Sequence, residues 1–191
     1  MIILKNEINI AFPQVPYVSL KEKLTMFIKN EVDNFLDFAK EKYQIELPCN
    51  LTITYEYYRY NSYDSYVFYI SSFVFGAHPD NRIISFTYDT INNKLITMAD
   101  LIDKDPFLLN YLSKETRSKL LNNKRIVDRN MLLEGTKPVI DNYQVFAFTP
   151  RGIILFFQEY QIAPYSSGSF KVLIPYRNSD FLDRSIIPFN N

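Results

Sequence analysis

The residues that most often carry chemistry are scarce in this sequence. It has one cysteine (Cys49), one histidine (His78), no tryptophan and only four glycines in 191 residues. A single cysteine excludes an intrachain disulfide and a complete cysteine-based zinc site, and Cys49 reads as a small core residue. A single imidazole excludes HExxH and other two-histidine metal sites, so no metal is expected. There is no GxSxG elbow to present a serine nucleophile. The four glycines lie far apart and form neither GxGxxG nor GxxxxGK, so no phosphate-cradling loop and no cofactor are expected. Charge of either sign in excess is also missing: 21 basic and 21 acidic residues cancel. No whole-molecule field therefore draws the chain to nucleic acid or an anionic membrane. The most basic run, Lys114 to Arg129, is interrupted by acidic residues and reads as a solvated helix face. The richest apolar stretch, YVFYISSFVFGA, falls short of the roughly 20 residues a membrane-spanning helix needs. The opening MIILKNEINI lacks the basic and long apolar regions of a signal peptide. As it stands the chain is expected to be soluble, with a membrane tether in the natural protein left open.

What the sequence has in quantity is aromatic residues, 15 tyrosines and 16 phenylalanines, set in clear periodic patterns. Leu20, Leu24, Ile28, Val32, Phe35 and Ala39 recur at threes and fours, predicting one amphipathic helix over Ser19 to Tyr43. Ser19 and Glu22 have the spacing of a capping box at its start. ILKNEINI before it alternates like a strand. LTITYEYYRYN and SYVFYISSFVF, joined by NSYDS, read as an antiparallel pair, and RIISFTYD with KLIT forms another hairpin around Asn92-Asn93. Thr97 and Asp105-Pro106 mark helix entrances between Thr97 and Asn122, and RNMLLEG is a short helix ended by Gly135. NYQVFAF, TPRG and IILFFQ give a last hairpin, and SFKVLIPY a closing strand. The order predicts an α+β fold of antiparallel sheets, with the N-terminal helix and a central helical segment packed on them.

Three readings of chemistry compete. His78, in FVFGAHPDN, is a structural or ligand-contacting imidazole or, less simply, a general base. Glu56, Asp64, Asp80, Asp89 and Glu159 include carboxylates that an enzyme of unknown type would pair. Tyr55 and Tyr57 face one way and Tyr58 and Tyr60 the other, so one face packs and the other stays partly wet. Tyrosines on such a face can bind sugars or a protein, or simply reflect strand propensity.

FGAHPDNRIISFTYDTINNKLITMADLI and FAFTPRGIILFFQEYQIAPYSSGSFKVLIPY resemble a bacterial domain family found at the C-terminus of the lysozyme-sensing anti-sigma factor RsiV. Related domains precede the catalytic part of the peptidoglycan deacetylase PdaC. Gly76 to Pro79, Thr97 to Leu101, Phe157 to Gly168 and Val172 to Tyr176 match its motifs in order, although the first glycine of the usual GGAH pair is Phe75 here. The resemblance implies a C-terminal domain over residues 76–191 and a companion region over 1–75, packed as one compact unit. It implies an extracytoplasmic, non-catalytic module that binds or senses a protein such as lysozyme, or a cell-wall ligand. An accessory glycan-binding module of a peptidoglycan-modifying system is the alternative. No nucleic acid partner is expected. Gly76, His78, Asp80, Tyr160 and Tyr165 are the ligand-binding residues it points to, and none is expected to be catalytic.

Overall fold

A computed structural model describes residues 7–41, 49–74 and 76–176. Its elements are strands β1 (Glu7–Ile10), β2 (Asn50–Tyr60), β3 (Tyr63–Phe73), β4 (Asp80–Asp89), β5 (Lys94–Ile96), β6 (Phe146–Thr149), β7 (Gly152–Phe157) and β8 (Phe170–Ile174). The helices are α1 (Val18–Glu41), α2 (Met98–Ile102), α3 (Leu108–Leu120) and α4 (Arg129–Gly135). One sheet has the order β1-β2-β3-β4-β5 and the other β6-β7-β8. The α+β class read from the sequence is the one observed. Two compact units divide the chain: residues 1–56 with 68–84, and 57–67 with 85–191. They alternate along the sequence, whereas the family resemblance places a boundary at residue 75.

In the first unit, β1 pairs with β2 in parallel, Glu7 opposite Asn50 through Ile10 opposite Ile53. The sequence reading has only antiparallel pairs. A parallel neighbour requires a crossover, and α1 is that crossover. Leu20, Leu24, Ile28, Phe35 and Ala39 are buried as the periodicity predicts, but the sixth buried position is Glu31, with Val32 only half-buried. The spacing 20, 24, 28, 31, 35, 39 follows one helical face, and Val32 lies about 100° further round. Glu31 is tolerated there because Arg82 of β4 reaches both its oxygens, at 2.5 and 3.4 Å. The expected cap at Ser19 is displaced: the Lys21 amide donates to the Tyr17 carbonyl, so α1 begins before Ser19, which sits within its first turn. Phe27 meets Phe68 edge-on at 5.3 Å between ring centres. Cys49 is buried, its thiol donates to the Val74 carbonyl at 3.2 Å, and burial pushes that thiol's pKa up.

In the second unit, α2 opens at the Thr97 entrance read from the sequence, and the cap is a capping box, Thr97 and Asp100 each satisfying the other's amide. That exchange, led by the Thr97 hydroxyl, holds the Asp100 carboxyl below its usual pKa. α3 starts later than Asp105-Pro106 suggests. Asp105 is buried and accepts from the Phe107 amide, so Pro106 lies in a turn before the helix. Gly135 is the last residue of α4, and a Cβ there would stand 1.9 Å from the Gln161 carbonyl oxygen. Close backbone approach, rather than an unusual φ, requires glycine at this position. Helical residues Leu101, Leu108 and Leu112 join Phe146, Phe148, Leu155 and Phe157 of the second sheet in one core cluster.

The edge of β6 is the critical junction of this unit. Strand β7 takes one side of β6, with Ala147 opposite Ile154 and the Phe156 amide bonded to the Val145 carbonyl. Phe146 and Phe148 therefore turn their backbone groups to the other side, where no strand among the described residues pairs with them. Hydroxyls fill the gap. The Phe146 amide donates to Ser85 Oγ at 3.0 Å, Thr87 Oγ1 donates to the Phe146 carbonyl at 3.3 Å, and the Phe148 amide donates to Ser65 Oγ at 3.3 Å. Ser65 and Thr87 also bond each other, at 3.0 Å, and both are buried.

Thr87→Val keeps the side-chain shape but strips the donor from a buried carbonyl. It is expected to lower stability by about 1–3 kcal/mol in urea denaturation, and an unchanged midpoint would show the hydroxyl to be dispensable. Burial also raises the phenols of Tyr63 and Tyr143 from 10.0 to about 12. A folded-state pKa above the unfolded one favours the neutral phenol in the fold, so this stability is complete below pH 10 and is lost as pH rises through about 12. A denaturation midpoint that fell already well below pH 10 would contradict this assignment.

Candidate functional site

The five residues implied by the family resemblance fall in two places. Gly76 and His78 lie in the turn between β3 and β4 and Asp80 opens β4, all in the first unit, while Tyr160 and Tyr165 belong to the loop between β7 and β8 in the second. Gly76 has φ +148°, a conformation that L side chains rarely adopt. A Cβ there would meet only the His78 carbonyl, at 3.9 Å, so backbone angle and not space favours glycine. Phe75, the departure from the family motif, lies outside the described residues. His78 is exposed, and its Nδ1–H donates to the Pro79 carbonyl at 2.9 Å. That bond fixes the ring against its own turn, with Nδ1 as the protonated nitrogen. Asp80 is exposed and lies 3.3 Å from Arg82 Nε, a charge contact without hydrogen-bond alignment. Arg82 thus stands between the surface carboxylate of Asp80 and the buried one of Glu31.

Tyr160 and Tyr165 are brought together. Their ring centres are 5.6 Å apart and their planes tilted by 32°, and Tyr160 is 58% exposed. Tyr160 has φ +64°, which a tyrosine adopts at a cost of about 1–2 kcal/mol. The loop can hold that angle because it is fixed from both ends. Gln161 Oε1 accepts from the Gln158 amide, while its Nε2 donates to the carbonyls of Gly135 and Asn142. Beyond Tyr165, the Arg125 guanidinium donates to the carbonyls of Ser167 and Ser169, and Ser167 Oγ returns a bond to the Arg125 carbonyl. The same guanidinium lies over the Phe170 ring at 4.2 Å. The result is an exposed Tyr160 ring beside a half-buried Tyr165, on a loop whose path is set by other residues. Such a surface can stack on an apolar face and hydrogen-bond at its rim through the phenols.

Gln161 and Arg125 were not marked by the sequence reading. Arg125 was hidden in the basic run Lys114 to Arg129, of which a second member, Arg117, also reaches another segment, donating to the Leu133 carbonyl and to Thr136 Oγ1. Nothing in the local pattern around Gln161 signals its role.

Three of the carboxylates singled out in the sequence, Asp64, Asp80 and Asp89, make structural contacts. Asp64 is buried, accepts the Tyr57 phenol at 2.7 Å and lies 3.6 Å from Arg59 Nε. Partial burial, then this bond, pushes the Tyr57 phenol up to about 12. Asp89 accepts from the Ile91 and Asn92 amides and from the Asn92 side chain, closing the β4–β5 turn. Among the described residues no group of three or more His, Cys, Asp or Glu could hold a metal ion, and no helix is long and apolar enough to cross a membrane.

Comparison with known proteins bears on the second unit above all. Residues 98–177 match the family described as a protein of unknown function, DUF3298. The chain is 29% identical over 180 residues to Immunogenic protein MPB64 of Mycobacterium bovis and, to the same extent, to Immunogenic protein MPT64 of Mycobacterium tuberculosis. These alignments cover 88% of this chain and 74% of each relative. It is 27% identical over 169 residues to the peptidoglycan-N-acetylmuramic acid deacetylase PdaC of Bacillus subtilis, covering 86% of this chain but 36% of that protein. Solved DUF3298 structures share the fold. One from Pseudomonas aeruginosa has a TM-score of 0.54 at 18% identity, over 67% of this chain and 59% of its own. One from Bacteroides fragilis has a TM-score of 0.53 at 19% identity, over 85% and 67%. The ordered motifs from Thr97 to Tyr176 thus coincide with the stretch, residues 98–177, that is similar to the DUF3298 family.

Proposed function

We propose that the chain is a non-catalytic, extracytoplasmic module that binds a protein or cell-wall ligand through the Tyr160–Tyr165 surface. The observation that carries this reading is the exposed Tyr160 ring set against the half-buried Tyr165 on a fixed loop, with Tyr160 kept at φ +64°. Backbone strain retained at a surface residue is characteristic of binding sites, where the surrounding structure holds a residue in a conformation it would otherwise leave. Aromatic anchors on a preformed loop also lose little conformational freedom on contact. The cell envelope is supported by the relative PdaC, whose name places its substrate in peptidoglycan, a polymer outside the cytoplasmic membrane. A non-catalytic role is supported by the engagement of Asp64, Asp80 and Asp89 in structural contacts. His78, bonded to its own turn, contributes to a separate contact surface with Gly76 and Asp80.

The likeness to PdaC favours a second reading, in which the ligand is the glycan itself and the module is an accessory of a wall-modifying system. Calorimetric titration of the chain with lysozyme and, separately, with soluble muropeptides distinguishes protein from glycan. Heat with either supports binding. No heat with either at high micromolar concentration, or turnover of the muropeptides, would sink the proposal.

Tyr160→Gly links the site to its strain. Glycine adopts φ +64° freely, so the substitution is expected to remove ligand binding while keeping or raising stability, by up to about 1 kcal/mol. A large drop in the thermal midpoint would instead make Tyr160 a packing residue.

A further inference from the structure

A cavity of about 420 Å³ lies within the second unit, where β5 ends and α2 begins. Its size falls within the range of small-ligand sites. Phe86, Leu95, Ile96, Met98, Ile140 and Phe146 supply its apolar wall, and no charged side chain lines it. A carboxylate, phosphate or ammonium group would lose its hydration there without a countercharge.

The polar groups on the wall are few, and their bonding is informative. The Thr87 hydroxyl is committed to the Phe146 carbonyl, and Thr97 to Asp100. Ser85 Oγ accepts from the Phe146 amide, which leaves its own proton uncommitted among the described residues. Gln144 Nε2 donates to Asp141, which leaves the Gln144 carbonyl oxygen uncommitted among the described residues. The wall therefore offers one hydroxyl donor and one amide acceptor in an otherwise apolar space. A secondary amide has the complementary pair, a carbonyl and an N–H. A sugar ring would bring several further hydroxyls to a wall with few partners for them.

We infer that this cavity is a binding site for a neutral peptide segment, taking one apolar side chain into the Phe86–Ile96–Ile140–Phe146 wall while Ser85 and Gln144 hydrogen-bond its backbone amide. This site is separate from the Tyr160–Tyr165 surface and does not depend on it. The test is an amide-resolved NMR titration of the full chain with N-acetyl-leucine methylamide. Saturable shifts are expected at Phe86, Ile96, Ala99 and Gln144, with a dissociation constant on the order of 1 mM for so small a ligand. Ala99 lines the cavity from the exposed side of α2, so Ala99→Phe is expected to abolish the shifts. Gln144→Ala, an exposed position, is expected to weaken them about tenfold with an unchanged melting temperature, and serves as the readout should Ala99→Phe fail to fold. An N-acetylglucosamine trimer is expected to give no shifts here. Absence of saturation with the peptide probe, equal affinity in Gln144→Ala, or stronger shifts with the sugar would each overturn the assignment.

Discussion

A strand edge facing the protein interior is the constraint on which the second unit turns. The outward backbone groups of Phe146 and Phe148 would be left bare in the core if nothing met them, and a buried amide or carbonyl without a partner is costly. The usual solution is another strand. Here Ser65, Ser85 and Thr87, one from β3 and two from β4, stand in for it with their side chains. The aromatic packing nearby follows from that arrangement: Tyr63 sits 5.0 Å from Phe148 and Tyr58 6.4 Å from Phe156, both measured between ring centres. Tyr60 stacks on Tyr176, whose phenol donates to the Thr149 carbonyl at the end of β6. Burial raises the Tyr176 phenol well above its ordinary value. Hydroxyls set the distance, and rings fill what remains.

This use of hydroxyls explains what the sequence discloses and what it conceals. Elements whose cause is local were legible. The α1 stripe is a matter of periodicity, the Thr97–Asp100 cap of spacing, and the β4–β5 turn of Asn93, which adopts φ +51°. Serine and threonine in a strand have no such signature. SYVFYISSFVF and RIISFTYD read equally well as strands with one solvated face, and only the fold reveals that Ser65 and Thr87 are interior. Glu31 was missed for a related reason, since its partner Arg82 is 51 residues away. Local pattern cannot assign a charge to the core when the countercharge arrives by tertiary contact. The parallel pairing of β1 with β2 is likewise a long-range event that neither strand records.

The candidate site divides along the same line. Tyr160 and Tyr165 were singled out because they stand in a family motif, Phe157 to Gly168. Their partnership was not, because it depends on Gln161 reaching back to Gly135 and Asn142, and on Arg125 reaching forward to Ser167 and Ser169. Gly76 holds its turn at φ +148°. His78 and Asp80, by contrast, are tied to immediate neighbours, Pro79 and Arg82.

The near-contact of Gly135 with the Gln161 carbonyl has a wider meaning for how such a surface can change. The chain from Gln158 to Ser169 is steered by a glycine in one helix, an arginine after another, and a glutamine that points inward. The side chains at its exposed tip, Tyr160 and Ser166, are not among those anchoring bonds. Support and display are handled by separate residues. A chain built this way can exchange one recognition chemistry for another at its tip while the backbone keeps its course, much as an antibody framework carries unlike loops.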